Sequence, residues 1–158
     1  MIEIVAAAEV DQAALRTHVV EAWGAEAVVA HDEAMYPARH PGFVALRDGA
    51  IAGHVSYRRE GTRCEIVSID AQPPHEGIGS RLLDAAIAAA RAEGCEVVWL
   101  TTTNDNLDAL RFYQRRGFRI SAVRPRAVER ARATLKPEIP EVGAYGIPVR
   151  DEIDLELP

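Results

Sequence analysis

The sequence predicts an α+β fold, and three observations carry that prediction. Residues 42–71 alternate around two turn signals, as a run of antiparallel strands does. Residues 79–116 switch to helical spacing on either side of one apolar strand. The final residues, 151–157, return to strict alternation. With 158 residues, 48% of them hydrophobic and 27% charged, the chain fits one soluble domain with a real core over 1–158.

Residues 2–7 (IEIVAA) read as a first strand, and 10–23 as a helix with Leu15, Val19 and Ala22 or Trp23 at helical spacing. Residues 24–41 hold no settled pattern and end in the loop-like YPARHPG. Asp48-Gly49 between two apolar runs is a hairpin signal. Gly61-Thr62 turns the chain again, into RCEIVSIDA at 63–71. A helix over 79–93 places Leu82, Leu83, Ala86, Ile87 and Ala90 on one face, and Gly94 closes it. EVVWLTT (96–102) reads as a buried parallel strand, NLDALRFYQRR as a helix ended by Gly117, and 118–123 as another strand. Pro125 starts a short helix to about Leu135, after which Pro137, Pro140 and Pro148 keep the chain irregular. In 151–157, Ile153, Leu155 and Leu157 alternate with Glu152, Asp154 and Glu156, as in a half-buried strand.

Charge narrows the function classes. Eighteen basic against 24 acidic residues give a net charge of −6, which argues against a nucleic-acid partner. The N-terminus lacks a secretory pattern, and no apolar run is long enough to span a bilayer. Cys64 and Cys95 are too few for a disulfide scaffold, so a cytoplasmic chain with reduced thiols is the expectation. No His, Cys and Asp spacing suggests a metal.

The stretch Glu76-Gly77-Ile78-Gly79-Ser80 sits where strand gives way to helix. Backbone N–H groups at a helix start are unpaired and carry positive dipole, and glycine lets an anionic group approach them. A plain strand-to-helix turn uses the same residues. No Gly-Lys-Ser/Thr follows, which excludes a nucleotide P-loop, and Leu82 stands where a dinucleotide fingerprint needs its third glycine. Asn106 and Tyr113 lie seven residues apart, on one helix face and roughly 10 Å apart along the axis. Taken singly, Asn106 also fits a helix cap and Tyr113 a core position.

IDAQPPHEGIGSRLL followed by TTTNDNLDALRFYQRRGF resembles the GNAT superfamily of acyl-CoA-dependent N-acetyltransferases. Gly77-Ile78-Gly79 matches the family's Gln/Arg-x-x-Gly-x-Gly/Ala loop; Asn106, Ala109 and Tyr113, ahead of Gly117-Phe118, match its Asn-x-x-Ala-x-x-x-Tyr motif. The resemblance covers residues 65–119 and extends to the flanking strands. It implies a mixed, mostly antiparallel sheet of about seven strands, helices on both faces, and a splay between two parallel strands.

The resemblance also implies a site. The pyrophosphate of acetyl-CoA falls to Pro74, His75, Glu76, Gly77, Ile78, Gly79 and Ser80. The pantetheine arm falls to the backbone from Val67 to Ile69, on a strand that is often bulged; the opposite parity of Ile66 and Ile69 fits a bulge. Asn106 contacts the arm. Tyr113 sits near the thioester sulfur and gives the departing thiolate its proton, being protonated at neutral pH. Glu65 is the leading base for the acceptor amine, with a solvated strand position as its other reading. Asp70 is a weaker candidate, and His54 is more readily a core or surface residue.

The chain departs from the pattern at two adjacent positions, one being His75, where many members of the family have glycine. Pro74 stands where Gln or Arg is expected and has no N–H to donate, leaving His75 or Arg81 to compensate. Residues 125–148 add a helix and a Pro-rich crossing, of the kind that shapes an acceptor pocket or a homodimer contact. The function implied is acetyl transfer from acetyl-CoA to a primary amine of a small molecule or protein. The alternative is a non-catalytic acyl-CoA-binding sensor.

Overall fold

The computed structural model describes residues 1–158 and contains nine strands and four α-helices. In chain order these are β1 (Ile2–Ala6), α1 (Gln12–Trp23), β2 (Val28–Ala30), β3 (Glu33–Met35), β4 (Gly42–Arg47), β5 (Ala50–Glu60), β6 (Arg63–Ala71), α2 (Ile78–Ala92), β7 (Val97–Thr103), α3 (Leu107–Arg115), β8 (Arg119–Arg124), α4 (Ala127–Thr134) and β9 (Glu152–Leu157). Seven strands form one sheet in the order β1-β4-β5-β6-β7-β9-β8; it is mainly antiparallel, with β6 and β7 as its parallel pair. Strands β2 and β3 make a separate two-stranded sheet. The chain divides into two compact units, residues 1–28 with 36–98, and residues 29–35 with 99–158. No helix is long and apolar enough to cross a membrane.

In the first unit, β1 pairs antiparallel with β4 from Ile2↔Arg47 to Ala6↔Phe43. The β4–β5 turn is the expected Asp48-Gly49, with φ of 51° and 82°; two positive values match the strand twist as a type I′ turn does. Asp11 caps α1 by accepting from the Ala13 N–H at 3.2 Å, and Gly24 ends it with φ 77°. Leu15 of α1 packs with Ala7 and Val44 in the core. Helix α2 buries Ile78, Leu82, Leu83, Ala86 and Ala90, while Ile87 is half-buried. It crosses β5 so closely that a Cβ on Gly53 would stand 2.8 Å from the Asp70 carbonyl oxygen and 2.9 Å from Leu82 Cδ1. The β5–β6 register jumps from Ser56↔Ser68 to Tyr57↔Ile66, so Val67 is the extra residue of a bulge. That is where the parity of Ile66 and Ile69 places one.

In the second unit, β8 pairs antiparallel with β9 from Arg119↔Glu156 to Arg124↔Glu152. The alternation in β9 predicts a wet polar face, and here the structure differs. Glu152 is 2% exposed, no more open than the core, because Arg124 and the backbone N–H of His31 both donate to its Oε1. Arg124 also grips Asp154 with both terminal nitrogens, at 2.6 and 2.8 Å, and Thr101 donates to the same carboxylate. An acidic strand face is thus neutralised from the side rather than hydrated. The Pro-rich segment is likewise more ordered than its composition suggests: a Val142↔Pro148 bridge and the Val149 N–H to Glu141 oxygen bond (2.9 Å) fold it into a small hairpin.

The tight α2 crossing generates a test. Gly53→Ala should destabilise the protein by about 1–3 kcal/mol, because backbone lies in the path of the new methyl. Urea unfolding with an unchanged midpoint would show that the Asp70 backbone of β6 and the Leu82 side chain of α2 both yield without cost.

Candidate functional site

The loop from Gln72 to Gly77 is exposed, and α2 starts with Gly77 as its N-cap at φ 81°, ψ 2°. Only glycine takes that left-handed conformation at little cost, and it supplies no capping oxygen. No other side chain caps the helix. The first N–H groups of α2 therefore keep their dipole unspent, while a Cβ at Gly77 would meet nothing within 4 Å. Gly79 is similarly open, its nearest neighbour being Ala71 Cβ at 3.9 Å. An anion can approach these amides without steric obstruction, so the residues present fit a phosphate group. His75 holds a positive φ of 67° and is exposed. Arg81 is turned away: its Nη1 donates to the Ile2 carbonyl oxygen at 2.9 Å, so the compensation sought for Pro74 is not supplied there in the free protein.

Strand β6 leads into this loop. Val67 at the bulge and Ile69 beyond it are half-buried. Glu65, two residues before the bulge, is 3% exposed and accepts from Arg58 Nε, its cross-strand partner, at 2.9 Å. It is not a solvated strand residue. A carboxylate buried this deeply is costly to leave unpaired, and the Arg58 guanidinium offsets that cost. Behind the bulge, the hydroxyls of Ser56 and Ser68 hydrogen-bond at 2.7 Å.

In the second unit, α3 carries the other two residues. Asn106 is exposed and caps α3, its side chain accepting from the Ala109 N–H at 3.2 Å. Tyr113, 6% exposed, packs edge-on against Phe112 and tilted against Phe118, with ring centroids 5.2 and 5.4 Å away. Burial raises its pKa well above the usual phenol value, so it holds its proton throughout the neutral range.

Within each unit further polar residues hold the elements in place, among them Asn104, Asp105 and His18, which the sequence does not single out. Asn104 accepts from the Arg150 and Asp151 N–H groups and donates to the Pro148 oxygen, clamping the 141–151 segment beside the start of α3. Asp105 accepts from Thr103 and the Ala144 N–H; exposed Tyr145 donates to Asp108 on the first turn of α3. In the first unit, His18 of α1 bonds Asp70 of β6 at 2.6 Å, which raises the His18 pKa. His54, cross-strand to Asp70, is wholly buried, and neither ring nitrogen has a hydrogen-bond partner. Asp70 Oδ1 is also buried without one. Burial, reinforced by the nearby His18, lowers the His54 pKa to about 4, against the opposing pull of Asp70. Nothing local in the sequence marks these pairs, since 52 positions separate His18 from Asp70.

Comparison with known proteins gives a consistent outcome. Residues 7–118 match the sequence model of the acetyltransferase (GNAT) family. The chain is 48% identical over 113 residues to the uncharacterized protein YdhI of Bacillus subtilis, covering 71% of this chain and 70% of that one. It is 41% identical over 81 residues to a streptothricin acetyltransferase of Streptomyces lavendulae, covering 48% of this chain and 43% of the relative. In structure it resembles a Bacillus subtilis acetyltransferase solved in complex with CoA, with a TM-score of 0.72 and 21% identity over 99% of this chain and 98% of the other.

The buried histidine generates a pH prediction. An unfolded His54 has the ordinary pKa of 6.5, and folding depresses it to about 4. Between those values the unfolded chain binds more protons, so this contribution is complete above pH 6.5 and is lost as pH falls toward 4. The loss totals about 3 kcal/mol. His18 acts in the opposite sense, its contribution being lost as pH rises through its raised value. In His54→Leu the acid-side loss should shrink markedly between pH 6.5 and 4; denaturation curves with the wild-type acid slope would contradict the assignment.

Proposed function

This chain belongs to the GNAT acetyltransferase family, and on that premise we propose that it transfers an acetyl group from acetyl-CoA to a primary amine of a small molecule or protein. One observation carries the reading. A helix start without a side-chain cap, opened by a left-handed glycine, follows directly from a strand bulged at Val67. The proposed cofactor contacts are the loop from Pro74 to Ser80 for the pyrophosphate, the backbone from Val67 to Ile69 for the pantetheine arm, and Asn106 and Tyr113 on α3. The Asn106 carbonyl oxygen already serves the helix cap, so its amide group is the part left for a ligand.

Acetyl-CoA supplies an activated thioester, whose C–S bond breaks as the amine nitrogen bonds to the acetyl carbon. The amine loses one proton in this exchange and the departing sulfur gains one. A peptide N–H of the bulged strand stabilises negative charge on the acetyl oxygen; the register shift at Val67 supports that role. Glu65 takes the amine proton, directly or through water, while Arg58 holds its carboxylate in place. Tyr113 gives its proton to the sulfur, and burial keeps the phenol protonated until that step. The acceptor-side residues come from 20–45 and 125–150, where Tyr145 is an exposed aromatic. The streptothricin acetyltransferase relative supports acetyl transfer as the chemistry. A single domain over 1–158 and a cytoplasmic location complete the proposal.

The deciding experiment follows thiol release from acetyl-CoA across a panel of amines. Turnover with at least one amine is expected; saturable binding with no turnover for any would favour the sensor reading. Tyr113→Phe should lower kcat by roughly 10²-fold with little change in the acetyl-CoA KM, and an unchanged kcat across pH would remove the acid role. Gly77→Val, which strains a position at φ 81° and fills the open approach, should raise that KM at least tenfold, or roughly 1.4 kcal/mol. Normal affinity in this variant would take the loop out of the site.

A further inference from the structure

Arg47, the last residue of β4, reaches the glycine loop from a part of the sequence that no motif marks. Its Nη2 ion-pairs with the Glu76 carboxylate, one residue ahead of the Gly77 cap. The side chains are 41% and 46% exposed, so the pair is weak and open to exchange. Glu76 does not satisfy the whole guanidinium, because Arg47 Nε makes no hydrogen bond. A second cation stands close by. Ile2 is the cross-strand partner of Arg47, and the Ile2 carbonyl oxygen holds Arg81 at 2.9 Å.

We propose that Arg47 is a phosphate-binding residue, which leaves Glu76 to engage the pyrophosphate of coenzyme A and replaces the donor missing at Pro74. This rests on the coenzyme A reading above. The guanidinium fork matches phosphate oxygens as a pair of parallel bonds, and a doubly charged pyrophosphate attracts it more strongly than one carboxylate. In the free protein Glu76 keeps Arg47 beside the loop, so little side-chain ordering is left to be done on binding. The proline is then tolerated because the cation comes from β4 instead of the loop.

The two partners of one ion pair should therefore act in opposite directions. By isothermal titration calorimetry, Arg47→Ala should weaken binding of both coenzyme A and dephospho-coenzyme A, which lacks the 3′-phosphate, by roughly 10–100-fold. Glu76→Gln, which removes the charge competing for Arg47, should tighten both affinities a few-fold. Arg47→Lys, which keeps the charge without the fork, should fall between wild type and Arg47→Ala. The proposal is overturned if Arg47→Ala binds normally, if its loss is confined to coenzyme A with its 3′-phosphate, or if Glu76→Gln weakens binding as much as Arg47→Ala does. The last result would mean that the pair only shapes the loop. Failure of the wild-type protein to bind coenzyme A would instead overturn the reading beneath the proposal, and the proposal with it.

Discussion

The first turn of α2 presents backbone N–H groups that this chain leaves uncapped, and the design of the first unit turns on that. A helix start normally takes a Ser, Thr, Asp or Asn cap, as Asp11 does for α1. Gly77 gives up that stabilisation and takes a left-handed conformation instead. The cost is tolerable because α2 is anchored elsewhere, with Ile78, Leu82 and Leu83 nearly or fully buried and Gly53 letting them lie against β5. The helix start can thus remain chemically unsaturated while its axis is fixed.

Buried charge follows a common rule in both units. Glu65 is held by Arg58, and Glu152 with Asp154 by Arg124. Each carboxylate is paired across a strand ladder, so the charge is kept without an isolated buried ion. The His18–Asp70–His54 group is the exception. Its middle carboxylate is bonded on one side only, and His54 faces it without a bond. The cluster lies at the end of β6, just before the glycine loop.

What the sequence made legible was local. The Asp48-Gly49 turn, the amphipathic α2 and the Asn106 cap each depend on residues within a few positions of one another, and each lies where pattern places it. The opposite parity of Ile66 and Ile69 fits a bulge between them, and the strand register puts it at Val67. Long-range partners were not legible. Arg47 and Glu76 are 29 positions apart, and Arg124 and Asp154 are 30 apart. No periodicity encodes such pairs. For the same reason β9 reads as a strand with one wet face although Arg124 covers it. The segment 24–41 escaped assignment because its strands are only three residues long, too short for a period to show. Of the candidate site, the sequence offered candidates through its resemblance to a family, whereas the Arg58 partner of Glu65 and the turning away of Arg81 required coordinates.

The most direct test of the central claim watches the backbone amides themselves. In a nitrogen-15 labelled sample titrated with coenzyme A, the N–H signals of Ile78, Gly79 and Ser80 should shift saturably and together, as amides donating to a phosphate do. Saturable binding of coenzyme A that leaves those three signals unmoved would contradict the account.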